Sequence, residues 1–189
     1  SNFPRINMGN GSTADLSNVS RGVFGATVGV DRLLKLFDKN EIKASWFARA
    51  HTIESFPEQM AKIRDAGHEI GLHDYSDESV KSTLTAQQQY DTLTKSIDIL
   101  TKFVGRKPLG NTAPIWFTSK EVIPQFQELG IVYDHSFVHY DLQPYWAPHS
   151  SHEWIDVDLK KEANSWMKPM TRLRPSQVVE IPSNWNLGD

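Results

Sequence analysis

The chain has 189 residues, 39% of them hydrophobic and 23% charged, with a formal net charge of −3 and no cysteine. At that length roughly 70% of the unfolded surface is buried on folding, so a single domain can build its core without disulfides or a structural metal. The composition excludes disulfides, thiolate-ligated metals and a thiol nucleophile, and without a Lys/Arg block nucleic acid is not expected as a partner.

No apolar run approaches the roughly 18 residues of a membrane span, and the start Ser1-Asn2-Phe3-Pro4-Arg5 has no apolar signal core. The expectation is a chain with no membrane partner and no signal peptide, cytoplasmic or mature and secreted.

Residues 1–20 are polar and rich in turn formers, and are expected to form an irregular loop. After Gly22 and Gly25, Val30-Asp31-Arg32-Leu33-Leu34-Lys35-Leu36-Phe37 has helical spacing, and Lys43 to Ala48 follows as a strand. Ser55-Phe56-Pro57-Glu58 opens the next helix with an early proline and an acidic first turn, and Gly67 stops it before the strand Glu69 to His73. Thr85 to Val104 reads as a long helix, with a short strand following Pro108-Leu109-Gly110. Ser119 to Leu129 is helical, Ile131-Val132-Tyr133 a strand, and a long aromatic loop comes next. A helix around Glu162 to Leu173 and a last strand at Val178-Val179-Glu180-Ile181 complete the series.

Helices alternating with short apolar strands make this an α/β chain of parallel βα units. The first element is a helix with no strand before it and the last a strand with no helix after it. The expected architecture is a distorted or incomplete (β/α) barrel of parallel strands, occupying residues 21–189 and lacking the first and last strands. Such an opened sheet leaves edges and helix faces to cover, so a homo-oligomer is expected.

In parallel α/β folds the chemistry sits where strands end. His73 ends a strand and Asp77 lies four residues on, a spacing at which an imidazole and a carboxylate can converge on one divalent cation or hydrogen-bond to their surroundings. Further rim candidates are Arg21, His51, Thr112, Pro114, Trp116, Asp134, Ser136 and Trp185, with the aromatics Tyr140, Tyr145 and Trp146 nearby. Aromatics in such loops either bind sugar-like ligands or hold the loop down.

The segments Ser20-Arg21-Gly22-Val23-Phe24-Gly25, Ile42-Lys43-Ala44-Ser45-Trp46-Phe47, Gly67-His68-Glu69-Ile70-Gly71-Leu72-His73 and Thr112-Ala113-Pro114 resemble the polysaccharide deacetylase (NodB-homology) family over about residues 20 to 185. Within it, the likeness is to the branch of peptidoglycan-deacetylase-like, allantoinase and cyclic-imidase proteins. The resemblance implies hydrolysis of a non-peptide carbon–nitrogen bond: N-deacetylation of an amino-sugar polymer of chitin or peptidoglycan type, or opening of a small cyclic amide. It also implies zinc or a similar divalent metal bound by an aspartate and two histidines, with a second aspartate as base.

On this likeness His73 takes the first position of the family's His-x-x-x-His pair, and Asp77 stands at the second. Thr112 stands where many members have arginine, and Asp134 and Ser136 fall on the Asp-x-Ser positions. The strand bearing the paired aspartates is expected to precede residue 20, and the late acid histidine to follow Asp189. His73 and Asp77 are thus the catalytic and metal-site candidates. The alternative is an inactive relative that binds glycan or a protein through its aromatic rim.

Overall fold

The computed structural model describes residues 16–78, 84–149, 155, 157–169 and 173–183. Helix α1 (Leu16–Phe24) runs through a π-helical stretch (Gly25–Gly29) into α2 (Val30–Lys39). Residues 16–20, inside the expected N-terminal loop, are therefore helical. The π stretch begins and ends on a glycine, and the Thr27 hydroxyl donates to the Val23 carbonyl at 2.6 Å, a local diversion of the regular ladder. β1 (Ser45–Ala48), α3 (Ala50–Ser55), α4 (Pro57–Asp65) and β2 (Glu69–Leu72) follow.

α5 (Ala86–Val104) starts on a capping box, in which the Thr85 hydroxyl accepts from the Gln88 N–H and the Gln88 side chain accepts in return from Thr85. It ends on Gly105 at φ 82°, a left-handed position where glycine pays no Cβ penalty. β3 (Gly110–Asn111), a 3₁₀ turn (Pro114–Trp116), α6 (Val122–Leu129) and β4 (Tyr133–Asp134) come next.

Two expectations change beyond this point. The long aromatic loop contains a strand, β5 (Tyr145–His149), and the described part of the helix expected over residues 162–173 is a single 3₁₀ turn at Ala163–Ser165. The final strand is β6 (Arg174–Glu180).

The six strands form one mixed sheet in the order β1-β2-β3-β4-β6-β5, parallel except for β5. β5 lies antiparallel on the outer edge of β6, so that edge is covered by the chain itself. Its Pro148 suits an edge position, where a missing N–H costs no ladder bond. The core fills the helix-covered face: Ile70, Leu72, Ala147 and Val178 meet Ile63, Leu100 and Phe126, all at most 3% exposed. Among the described residues no helix is long and apolar enough to cross a membrane.

Candidate functional site

Side chains alternate across each strand. Ile70, Leu72, Asn111, Asp134, Val178 and Glu180 turn to the helix-covered face and are buried, which leaves Phe47, Gly71, Gly110 and Tyr133 on the other. The floor of that face is built around its two glycines. A Cβ on Gly71 would sit 2.7 Å from the Phe47 ring, and one on Gly110 would overlap the Tyr133 ring. The aromatic rings thus lie across bare backbone and meet edge to face, centroids 6.2 Å apart. The Tyr133 hydroxyl bonds Ser45 and Glu69, and burial pushes its pKa up to about 12.

One residue further along each parallel strand is the rim. The pairs Ala48↔Leu72, Leu72↔Asn111, Asn111↔Asp134 and Asp134↔Glu180 bring Arg49, His73, Thr112, His135 and Ile181 into one row. Three ladder bonds continue into it: Thr112 N to Leu72 O at 3.0 Å, His135 N to Asn111 O at 2.9 Å and Ile181 N to Asp134 O at 2.9 Å. The row lies at the carboxyl ends of the strands, where open α/β sheets place their ligands.

His73 Nδ1 lies 2.6 Å from the Thr112 carbonyl oxygen. A carbonyl only accepts, so Nδ1 carries the hydrogen and Nε2 of the neutral ring keeps its lone pair. Burial lowers the His73 pKa, the Thr112 bond works against that shift, and the Arg49 cation lowers it further against a smaller upward pull from Asp77. The imidazole is therefore neutral at pH 7.

Asp77 reaches the rim through a tight loop. Asp74 and Asp77 are left-handed at φ 57° and 66°, a conformation Asp tolerates better than most residues. Glu78 holds the loop by accepting from the backbone N–H groups of Tyr75, at 2.8 Å, and Ser76. Asp77 Oδ1 then accepts from Arg49 Nε at 2.5 Å, with side chains 11% and 30% exposed.

A divalent cation would find His73 Nε2 and the Asp77 carboxylate here, but Arg49 already occupies that carboxylate and brings a positive charge to it. Among the described residues no cluster of three or more His, Asp or Glu side chains could hold a metal. The donor set in hand does not make a complete metal site, since such sites normally supply three protein ligands.

The other sequence candidates scatter. Thr112 is in the rim row, and its buried hydroxyl has no partner among the described residues. Pro114 is buried in the 3₁₀ turn, and Trp116 follows it at φ 53°. His51 sits in α3 with its ring edge-on to Tyr75, centroids 6.0 Å apart. Arg21 is exposed on α1, and Trp185 lies outside the described residues.

Asp134 and Ser136 do not line the rim, because they turn to the opposite, helix-covered face at 0% and 4% exposed. There Asp134 Oδ1 accepts from Asn111 at 2.8 Å and Ser136 at 3.0 Å. Glu180 lies alongside, its Oε1 accepting from the Ser136 and Phe137 N–H groups at 2.8 Å each. Burial raises both carboxyl pKa values, and Asp134's charge raises that of Glu180 further. Among the described residues Asp134 Oδ2 and Glu180 Oε2 have no other donor, and the raised pKa of both groups favours a proton held between the two carboxyls. The pair is a structural support beneath the rim.

The sequence reading missed Arg49 and His135. His135 Nδ1 lies 2.7 Å from the Ile181 carbonyl oxygen, and its ring stacks on Phe47 at 6.4 Å and 17°. The signal available for His135 was its place between Asp134 and Ser136, which puts it on the opposite face from both.

Against known proteins, the family model described as Polysaccharide deacetylase matches residues 24–133. The peptidoglycan deacetylase of Helicobacter pylori is 43% identical over 172 residues, covering 91% of this chain and 58% of its own length. A Mycobacterium smegmatis structure assigned to the polysaccharide deacetylases superposes with TM-score 0.72 at 26% identity, covering 91% of this chain and 51% of that one. The Puue allantoinase structure gives TM-score 0.66 at 30% identity, covering 74% and 45%. The chain spans little more than half the length of the curated relative.

Proposed function

Because the chain belongs to the polysaccharide deacetylase family, we propose that the rim row hydrolyses the amide bond of an N-acetylated amino sugar within a polymer of peptidoglycan or chitin type, releasing acetate and leaving a free amine. The observation that carries this reading is His73, a half-buried neutral imidazole with Nδ1 pinned to Thr112, which leaves the Nε2 lone pair as its free base. Amide hydrolysis needs a base for the attacking water, a stabiliser for the developing oxyanion and a proton for the leaving nitrogen. His73 Nε2 takes the water proton. The Arg49–Asp77 pair fixes a guanidinium beside it, placed to face negative charge as it develops. Thr112 stands in the row beside His73, and the exposed Trp146 of β5 shares its face with Tyr133 and supplies a flat surface for a sugar ring.

Family members generally use a divalent metal. No step here runs through one, because the described donor set is incomplete. The likeness to an allantoinase supports a second substrate class, small cyclic amides, opened by the same attack. The test is acetate release from acetylated chitooligosaccharides and peptidoglycan, beside ring opening of cyclic amides, with and without zinc or cobalt. Turnover of the acetylated polymers is the expected result.

A further inference from the structure

Arg49 and Asp77 are held together from both sides. Arg49 leaves β1 in an extended conformation, φ −63° and ψ 137°, at the start of α3. The next two N–H groups, of Ala50 and His51, donate to the Asp74 and Tyr75 carbonyls at 3.2 and 3.0 Å. Glu78 ties the same loop through the Tyr75 and Ser76 N–H groups. The segment that carries the guanidinium and the loop that carries the carboxylate are thus laced together by their backbones. Arg49 Nε meets Asp77 Oδ1 at 2.5 Å, with the Asp77 side chain 11% exposed. Removing either half of such a pair strands a charge away from water.

His73 stands beside Arg49 in the rim row, one inter-strand step away, with Nε2 as its free base. A divalent cation reaching for His73 Nε2 and Asp77 would have to displace the guanidinium from Oδ1 or settle on the second carboxylate oxygen with a like charge beside it. Both weaken binding, because repulsion in a partly buried site is screened less than in water.

We propose that Arg49 is the rim's built-in cation: it bars a divalent ion from the His73–Asp77 pair and itself supplies the positive charge that such an ion would bring. The second half rests on the hydrolytic reading above, and the first does not. A guanidinium stays charged at every working pH and can donate to an oxyanion, but unlike a metal ion it does not acidify a bound water. Activation of the water then falls to His73 alone.

The test is zinc titration of the full chain by calorimetry, with the His73 ring followed by NMR, for wild type, Arg49→Gln and the double variant Arg49→Gln/His73→Gln. Wild type is expected to show no saturable binding at His73 up to about 1 mM zinc. Arg49→Gln should bind there at least about 100-fold more tightly, and the double variant should lose that gain. Acetate release by wild type should survive EDTA.

Zinc held at His73 by wild type as tightly as by Arg49→Gln overturns the proposal, and so does release that stops in EDTA and returns with zinc. If Arg49→Gln fails to fold, the wild-type measurements decide by themselves: stoichiometric zinc at His73 overturns the proposal, and no zinc there together with EDTA-resistant release supports it. Wild type that neither binds zinc at His73 nor releases acetate sinks the hydrolytic reading and leaves the exclusion of the ion standing, so the two failures are distinct.

Discussion

Glu180→Gln isolates what the buried carboxyl pair contributes. Asp134 and Glu180 are both 0% exposed and face each other across β4 and β6. Glutamine keeps the shape and the acceptor that serves the Ser136 and Phe137 N–H groups, and its amide N–H takes the place of the shared proton toward Asp134. The folded protein holds that proton, whereas the unfolded chain releases it near the ordinary glutamate pKa of about 4.3. The folded pKa is raised, so the native state binds more protons and stability falls as pH climbs above that value. One extra proton corresponds to a slope of about 1.4 kcal/mol per pH unit, or at most about 4 kcal/mol between pH 5 and pH 8.

That is a large share of a typical stability of about 5–15 kcal/mol. Urea unfolding followed by tryptophan fluorescence at pH 5, 6.5 and 8 is the assay. Glu180→Gln should lie within about 1 kcal/mol of wild type at pH 5 and become progressively the more stable protein toward pH 8. Glu180→Ala, which leaves two N–H groups without an acceptor, should be about 1–3 kcal/mol for each less stable than Glu180→Gln at every pH. A stability difference between wild type and Glu180→Gln that does not vary with pH refutes the shared proton.

Gly110→Ala forces a Cβ into the Tyr133 ring. It should cost about 1–3 kcal/mol of stability as an overpacked site, seen as a lowered Tm, and reduce acetate release by tilting the groove floor. His73 should titrate below the ordinary histidine pKa in an NMR pH series because it is buried, and Arg49→Gln, which removes a cation that lowers it further, should move that titration upward. β1 pairs only with β2 among the described residues, and Phe24 and Leu36 are 51% and 53% exposed on the neighbouring helices. Sedimentation should therefore show self-association, and a monomer at all concentrations would remove that expectation.

The alternation of helix and strand was legible because its signals are local. Pro57 and Glu58 open α4, Thr85 and Gln88 cap α5, and Gly105 and Gly130 stop two helices. The family likeness was legible for a related reason, since the Gly67 to His73 run serves backbone and side chain together: Gly71 must be bare for Phe47 to cross it. β5 was hidden because Tyr145-Trp146-Ala147-Pro148-His149 carries a proline and pairs with a strand some 30 residues later, which no local pattern announces.

The rim was only half legible. β4 has two residues, preceded by the apolar pair Ile131-Val132, so no alternation in the sequence tells which of Asp134, His135 and Ser136 faces the groove. The choice of Asp134 and Ser136 put the buried support in the place of the exposed imidazole. Arg49 was missed because its role depends on a partner 28 residues away, Asp77, reached through a left-handed turn.

The most direct measurement of the central claim is acetate released from an N-acetylated amino-sugar polymer by wild type and by His73→Gln, each with and without added divalent metal. The rim geometry predicts measurable release by wild type and a loss of at least about 100-fold in the variant. No release by wild type in any condition, or equal release by both proteins, would contradict it.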